Sequence, residues 1–111
     1  MKTVYICSAY QTNDKIEKNK VKTFLYCRFA YDNGYFPIAP QVYLPYILDY
    51  YRADERAKIF THCKNAIKEC DEFWIFGDIA LLGCYKLVDY AIKQGKVIKY
   101  FDKYCELSEK K

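Results

Sequence analysis

The residues able to do chemistry are few, and they fall at the ends of apolar runs. Ser8 follows Val4-Tyr5-Ile6-Cys7. Asp71 precedes, and Asp78 follows, the run Phe73-Trp74-Ile75-Phe76-Gly77, and Asp89 lies in the helix-patterned segment after it. Asp78 stands where a carboxylate can accept hydrogen bonds from ribose hydroxyls or base amines, and it reads equally as a turn-forming Asp after glycine. Asp89 falls off the apolar stripe, between Val88 and Tyr90, and reads as part of a solvated helix face. Asp71 sits at the opposite end of its strand, as a helix cap or strand opener. Ser8 reads first as a turn hydroxyl bonding the local backbone. His62 is the only histidine and lies mid-helix, so a Ser-His-Asp triad is not expected. Neither GxGxxG nor GxxxxGK[ST] occurs, so no dinucleotide or P-loop site and no cofactor are expected.

Cysteine could supply a metal centre or disulfides, and its spacing argues against both. Cys7, Cys27, Cys63, Cys70, Cys84 and Cys105 include no CxxC pair, and Cys63 and Cys70 share one helical stripe. They read as reduced packing thiols, and no metal site is expected.

The element that must position these groups is centred on Phe73 to Gly77, a run apolar enough to be a strand buried on both faces. Leu82 to Gln94 follows, with Cys84, Leu87, Val88, Ala91 and Ile92 at helical spacing, and Gly95 stands where a left-handed helix end wants glycine. Val97 to Phe101 is a second buried strand, which completes a βαβ unit and predicts a parallel sheet. Upstream, Thr3 to Cys7 reads as the first strand. A helix from Asp14 to Asn33-Gly34 carries Val21, Phe24, Cys27 and Tyr31 inward, and a short strand runs Tyr35 to Pro40. Asp54 caps a helix whose stripe is Ala57, Phe60, Cys63, Ile67 and Cys70. The expected fold is α/β: a flavodoxin-like three-layer sandwich with a four-stranded parallel sheet in the order 2-1-3-4. Its switch point falls between the first and third strands. That brings Ser8-Ala9-Tyr10 next to Gly77-Asp78 and the start of the last helix, and makes this edge the ligand site.

Residues 1–105 form one domain, and 106–111 read as a frayed, charged tail. A net charge of +4 with scattered lysines does not suggest a nucleic-acid partner. No apolar run approaches the roughly 20 residues of a membrane span, and no signal peptide is visible, so a cytoplasmic location is expected. Aromatic content is the outlier, at 19% with 13 tyrosines. Gln41 to Tyr51 is apolar nearly all round, and reads either as a short helix over the sheet end or as an irregular lid. Tyr43, Tyr46, Tyr50 and Tyr51 could stack on a planar ligand or form a subunit contact. So dense an apolar patch favours the contact, hence a homo-oligomer.

Val4-Tyr5-Ile6-Cys7-Ser8-Ala9-Tyr10 resembles the YICSPY opening of small proteins of the nucleoside 2-deoxyribosyltransferase-like superfamily. The likeness continues through Asn19, Tyr26-Cys27-Arg28-Phe29-Ala30, Gly34-Tyr35, Pro37-Ile38-Ala39-Pro40, Cys70-Asp71-Glu72, Trp74 to Asp78, Gly83 and Ala91. The resemblance implies a nucleoside or nucleotide cleft, symmetric oligomers and a bacterial or phage source. With the switch-point geometry, it places ligand contacts at Ser8, Ala9, Tyr10, Gln41, Gly77, Asp78, Gly83 and Leu87. The transferases carry a nucleophilic Glu four residues after the glycine, and here that position is Leu87. The family's Pro, Arg and His are Ala9, Gln11 and Gln41. A leucine cannot form a glycosyl-enzyme ester. The resemblance therefore implies a nucleotide-ligand binder without transferase activity, sequestering a nucleotide signal if the gene is viral. The alternative is an N-glycosidic-bond enzyme with a relocated carboxylate, Asp78 or Asp89. Asp89 lies about 200° around the helix from Leu87.

Overall fold

The computed structural model describes residues 1–8, 16–77 and 84–108, with the backbone alone at residues 16–19 and 84. Four strands alternate with helices: β1 Lys2–Ser8, α1 Ile16–Asp32, β2 Tyr35–Ile38, α2 Leu44–Ile47, α3 Ala53–Glu69, β3 Glu72–Phe76, α4 Cys84–Lys93 and β4 Val97–Phe101. The four strands pair in parallel with one another, in the order β2-β1-β3-β4, as expected from the strand-helix alternation.

The two central strands are buried on both faces, and alternation splits their side chains between two cores. Tyr5, Cys7, Phe73 and Ile75 join Leu44, Ile59, Cys63, Ile67, Val88 and Ala91 on the face covered by α2, α3 and α4. Val4, Ile6, Trp74 and Phe76 meet Tyr26 and Ala30 of α1 on the other face. That second core is mostly aromatic: Tyr26 stacks on Phe76 at 4.3 Å, and Phe76 on Phe101 at 4.9 Å. The turn out of α4 has the hydrogen bonds of a Schellman motif. Gly95 (φ 72°) donates to Ile92 O at 3.0 Å, and Lys96 N–H donates to Ala91 O at 3.1 Å. The Lys96 ammonium then reaches back to Lys68 O and Cys70 O, at 2.9 and 2.6 Å, and so caps the carboxyl end of α3.

Several local expectations are corrected. The inward face of α1 is Thr23, Tyr26 and Ala30, while Val21, Phe24 and Tyr31 are more than half exposed. Hydropathy favoured the latter set, but the Tyr26–Phe76 stack and a Thr23–Ser8 hydrogen bond set the helix's rotation. In α3 the buried line is Ile59, Cys63 and Ile67, with Ala57 exposed and Phe60 half-buried. The cap position is Arg52, without a side-chain cap. Asp54 lies in the first turn, 3.1 Å from Arg52. β4 is not buried on both faces: it is the edge strand of the sheet, beside β3, and Val97 is exposed.

The segment after β2 resolves into a 3-10 turn (Pro40–Val42) and the one-turn α2, with Val42 and Leu44 as its buried anchors. Beyond β4 the chain reverses. The Asp102 carboxylate accepts from the N–H groups of Tyr104 and Glu106, Leu107 bridges antiparallel to Phe101, and Ser108 N–H reaches Tyr100 O at 2.8 Å. Among the described residues no helix is long and apolar enough to cross a membrane.

Candidate functional site

In an open parallel sheet the ligand crevice lies beyond the carboxyl ends of the strands, where the strand order reverses. Here that point is between β1 and β3. Their register pairs Ser8 with Phe76, so Gly77 is the next residue along. Gly77 has φ 81°, a conformation open to glycine at little cost, and its N–H donates to Phe101 O at 3.0 Å. The backbone therefore leaves β3 in a fixed direction.

Ser8 does not act as a local turn hydroxyl alone. Its Oγ lies 2.7 Å from Oγ1 of Thr23, and both residues are buried. Thr23 was not legible as a site residue. The signal was its i, i+3, i+7 spacing with Tyr26 and Ala30, which outward-facing Val21 and Phe24 obscure.

Gln41 closes the β2 side. Its Nε2 donates to Ile6 O at 2.7 Å, and Ile6 lies one residue beyond the last β1–β2 pair, Tyr5–Ile38. This bond settles which way the amide points, because a carbonyl can only accept. Oε1 is left buried with no partner among the described residues. An unmatched buried acceptor costs about 1–3 kcal/mol, which a donor on a ligand could recover.

Leu87 is half-buried against the core of Tyr5, Cys7, Phe73 and Ile75, as its place in the apolar stripe of α4 requires. Asp89 points to solvent, 3.8 Å from Lys93, with about 70% of its side chain exposed. The sheet thus gathers Ser8, Gln41 and Gly77 at one end. Ala9, Tyr10, Asp78 and Gly83 lie outside the described residues.

The remaining candidates do not gather there. His62 is exposed on α3. Asp71 is at the opposite edge, where it accepts from Thr3 N–H at 2.8 Å and from the Thr3 hydroxyl at 3.3 Å. Those bonds hold its carboxyl below the ordinary range. Burial pushes the Cys27 and Cys70 thiols up to about 11 and raises Cys63, despite a hydrogen bond from Tyr5 to the latter. Protonated thiols of this kind are packing groups rather than nucleophiles. Among the described residues Cys7, Cys27, Cys63, Cys70 and Cys105 form no disulfide, and no cluster of His, Cys, Asp and Glu could hold a metal ion.

Comparison with solved structures places the chain on a nucleoside 2-deoxyribosyltransferase-like fold. It is similar to a 2-deoxyribosyltransferase of Bacillus psychrosaccharolyticus, with a TM-score of 0.67 and 20% identity over 90% of this chain and 72% of that one. It is also similar to the CMP N-glycosidase of Clostridium botulinum, with a TM-score of 0.57 and 20% identity over 91% of this chain and 71% of that one. At that identity the likeness shows the fold alone. No curated protein matches the sequence at a significant level. A family model described as a domain of unknown function (DUF7768) matches residues 2–101, and the chain belongs to that family.

Proposed function

We propose that the chain binds a nucleoside or nucleotide at the carboxyl ends of β1 and β3 and does not transfer its glycosyl group. The observation that carries the reading is Gln41. Its amide is locked by Ile6 O, and its buried carbonyl has no donor among the described residues, beside the switch point where parallel sheets bind ligands. A nucleobase edge or ribose hydroxyl offers such a donor. Ser8, Ala9, Tyr10, Gly77, Asp78 and Gly83 complete the proposed contacts, and Leu87 takes the position of the nucleophilic Glu. An aliphatic side chain there can bound a pocket but cannot displace a base. If the chain is phage-encoded, the same site would sequester a nucleotide signal. We also propose that it self-associates through the tyrosine-rich segment. Tyr43, Tyr46 and Tyr51 are exposed, as are Ile47 beside them and Phe24 and Leu25 on α1. Lys20 of α1 donates to the Tyr46 hydroxyl at 2.7 Å, which joins the two groups.

A second reading, an N-glycosidic-bond enzyme with a relocated carboxylate, draws support from the names of the two solved neighbours. Asp89 is a poor substitute, since it is paired with Lys93 in solvent. Asp78 is the remaining one. Release of free base from a panel of nucleosides and nucleotides separates the readings. No turnover is expected from the wild type. Clear turnover that is lost in Asp78→Asn or Asp89→Asn would establish the enzyme. Leu87→Glu would restore a carboxylate at a half-buried, apolar position, where desolvation raises its pKa, so little rescue is expected.

A further inference from the structure

On the α1 face of the sheet lies a cavity of about 300 Å³ that shares no lining residue with the proposed site, although its Phe101 accepts a hydrogen bond from Gly77 N–H at the crevice. Its walls are aromatic: Phe29 of α1 with Tyr35, Trp74 and Phe101 of the sheet, and Leu107 is among its lining residues. The rings brace one another, with Tyr35–Trp74 at 4.7 Å, Trp74–Phe101 at 5.0 Å and Phe29–Phe101 at 5.3 Å. The cavity also holds one cation, Lys99. Its ammonium lies 5.3 Å from the Trp74 ring centre and 5.6 Å from that of Tyr35, and 3.3 Å from Glu72 Oε1.

Glu72 is buried and is not part of the lining. Oε1 accepts from Trp74 Nε1–H at 2.9 Å, and Oε2 accepts from the Tyr35 hydroxyl at 2.9 Å. A carboxylate framed by aromatic rings is the chemistry that captures ammonium ligands. Here the protein's own lysine fills that role, so a cationic ligand would meet an occupied cage. An ammonium has three N–H donors, and Glu72 accounts for one of them. With 38% of the Lys99 side chain exposed, the others are available to an acceptor in the cavity.

We propose that this cavity is a second ligand site, taking a flat one- or two-ring aromatic carboxylate whose ring packs among Phe29, Trp74 and Phe101 and whose anion meets Lys99. Its volume is at the lower end of small-molecule pockets and suits such a ligand. The rim is held in place by the Asp102 turn and the Leu107–Phe101 bridge. The site does not depend on the nucleotide reading.

Trp74 is the only tryptophan, so its single indole N–H resonance is an unambiguous probe in the wall of this cavity. The probes are 2-naphthoate and benzoate, each against the neutral alcohol of the same ring, titrated into the wild-type protein. A saturable shift of the indole resonance is expected, with the alcohols about tenfold weaker, the difference of one charge-assisted hydrogen bond. Lys99→Arg should keep the preference, Lys99→Met should abolish it, and the exposed rim variant Leu107→Ala should weaken both anions. No saturable shift in the wild type, equal binding of anion and alcohol, or unchanged preference in a folded Lys99→Met variant overturns the proposal. Should Lys99→Met not fold, the wild-type anion–alcohol comparison and Leu107→Ala decide it.

Discussion

Replacing Glu72 by Gln tests whether the buried carboxylate organises the aromatic face of the sheet. The substitution keeps the volume and removes the charge. In the wild type, Trp74 Nε1–H and Lys99 approach Oε1, and the Tyr35 hydroxyl approaches Oε2. A Gln carbonyl can keep the Trp74 bond, and the Tyr35 hydroxyl can rotate to accept from the new amide. No group need be stranded, but two charge-assisted bonds become neutral ones. Hydrogen bonds to charged groups contribute about 1.5–3 kcal/mol against about 1 for neutral pairs, so over the two bonds the loss should be about 1–4 kcal/mol. Lys99 is too exposed for its ion pair to add more than about 1 kcal/mol. With roughly 4 °C per kcal/mol for a domain of this size, the melting temperature should fall by about 4–16 °C. The pH dependence supplies a sharper check. Burial alone would push the Glu72 carboxyl up, but the bonds from Trp74 and Tyr35 and the Lys99 charge together hold it below its ordinary 4.5. A depressed acid stabilises the fold above its unfolded pKa and loses that contribution as pH falls through its lower folded value. Chemical denaturation should therefore show the full gap between wild type and variant at pH 7, narrowing once the pH drops below about 4.5. A loss under about 0.5 kcal/mol, or a gap that persists undiminished at the lowest pH where both fold, would refute the reasoning.

Among the described residues Gly77→Ala meets no heavy atom within 4 Å of the new Cβ, so the cost expected is that of the left-handed backbone. Equilibrium unfolding should show a loss of about 1–2 kcal/mol, with less for Gly77→Asn. Thr23→Val removes one hydroxyl of the buried pair with Ser8 and should cost about 1 kcal/mol by the same measurement. Tyr46→Ser combined with Ile47→Ser should shift sedimentation toward the monomer. A monomeric wild type at tens of micromolar would end the subunit-contact reading.

Strand order was legible because the information is one-dimensional. Doubly buried runs such as Phe73–Phe76, helical stripes such as Leu87–Val88–Ala91, and Gly95 at a helix end each carry their own local reason. Helix rotation was less legible. Thr23 is polar yet wholly buried, while Phe24 and Leu25 are apolar yet exposed. What turns α1 is the surface it meets, a Phe76 ring and a Ser8 hydroxyl, and neither is local in sequence. The same holds for Glu72, which reads as a polar boundary before a strand. Its partners Tyr35 and Lys99 come from β2 and β4, so their convergence exists only once the sheet has assembled. At the crevice, the switch-point topology pointed to Ser8 and Gly77 and the family resemblance to Gln41, but the bond that fixes the Gln41 amide on Ile6 O is a tertiary fact.

Calorimetric titration of the wild-type protein with nucleosides, nucleotides and cyclic nucleotides tests the central claim most directly. Saturable one-site heat for at least one of them, at a Kd of about 100 μM or tighter (about −5.5 kcal/mol), is the expected result. No measurable heat from any of them, with folded protein at a concentration above that Kd, would contradict it.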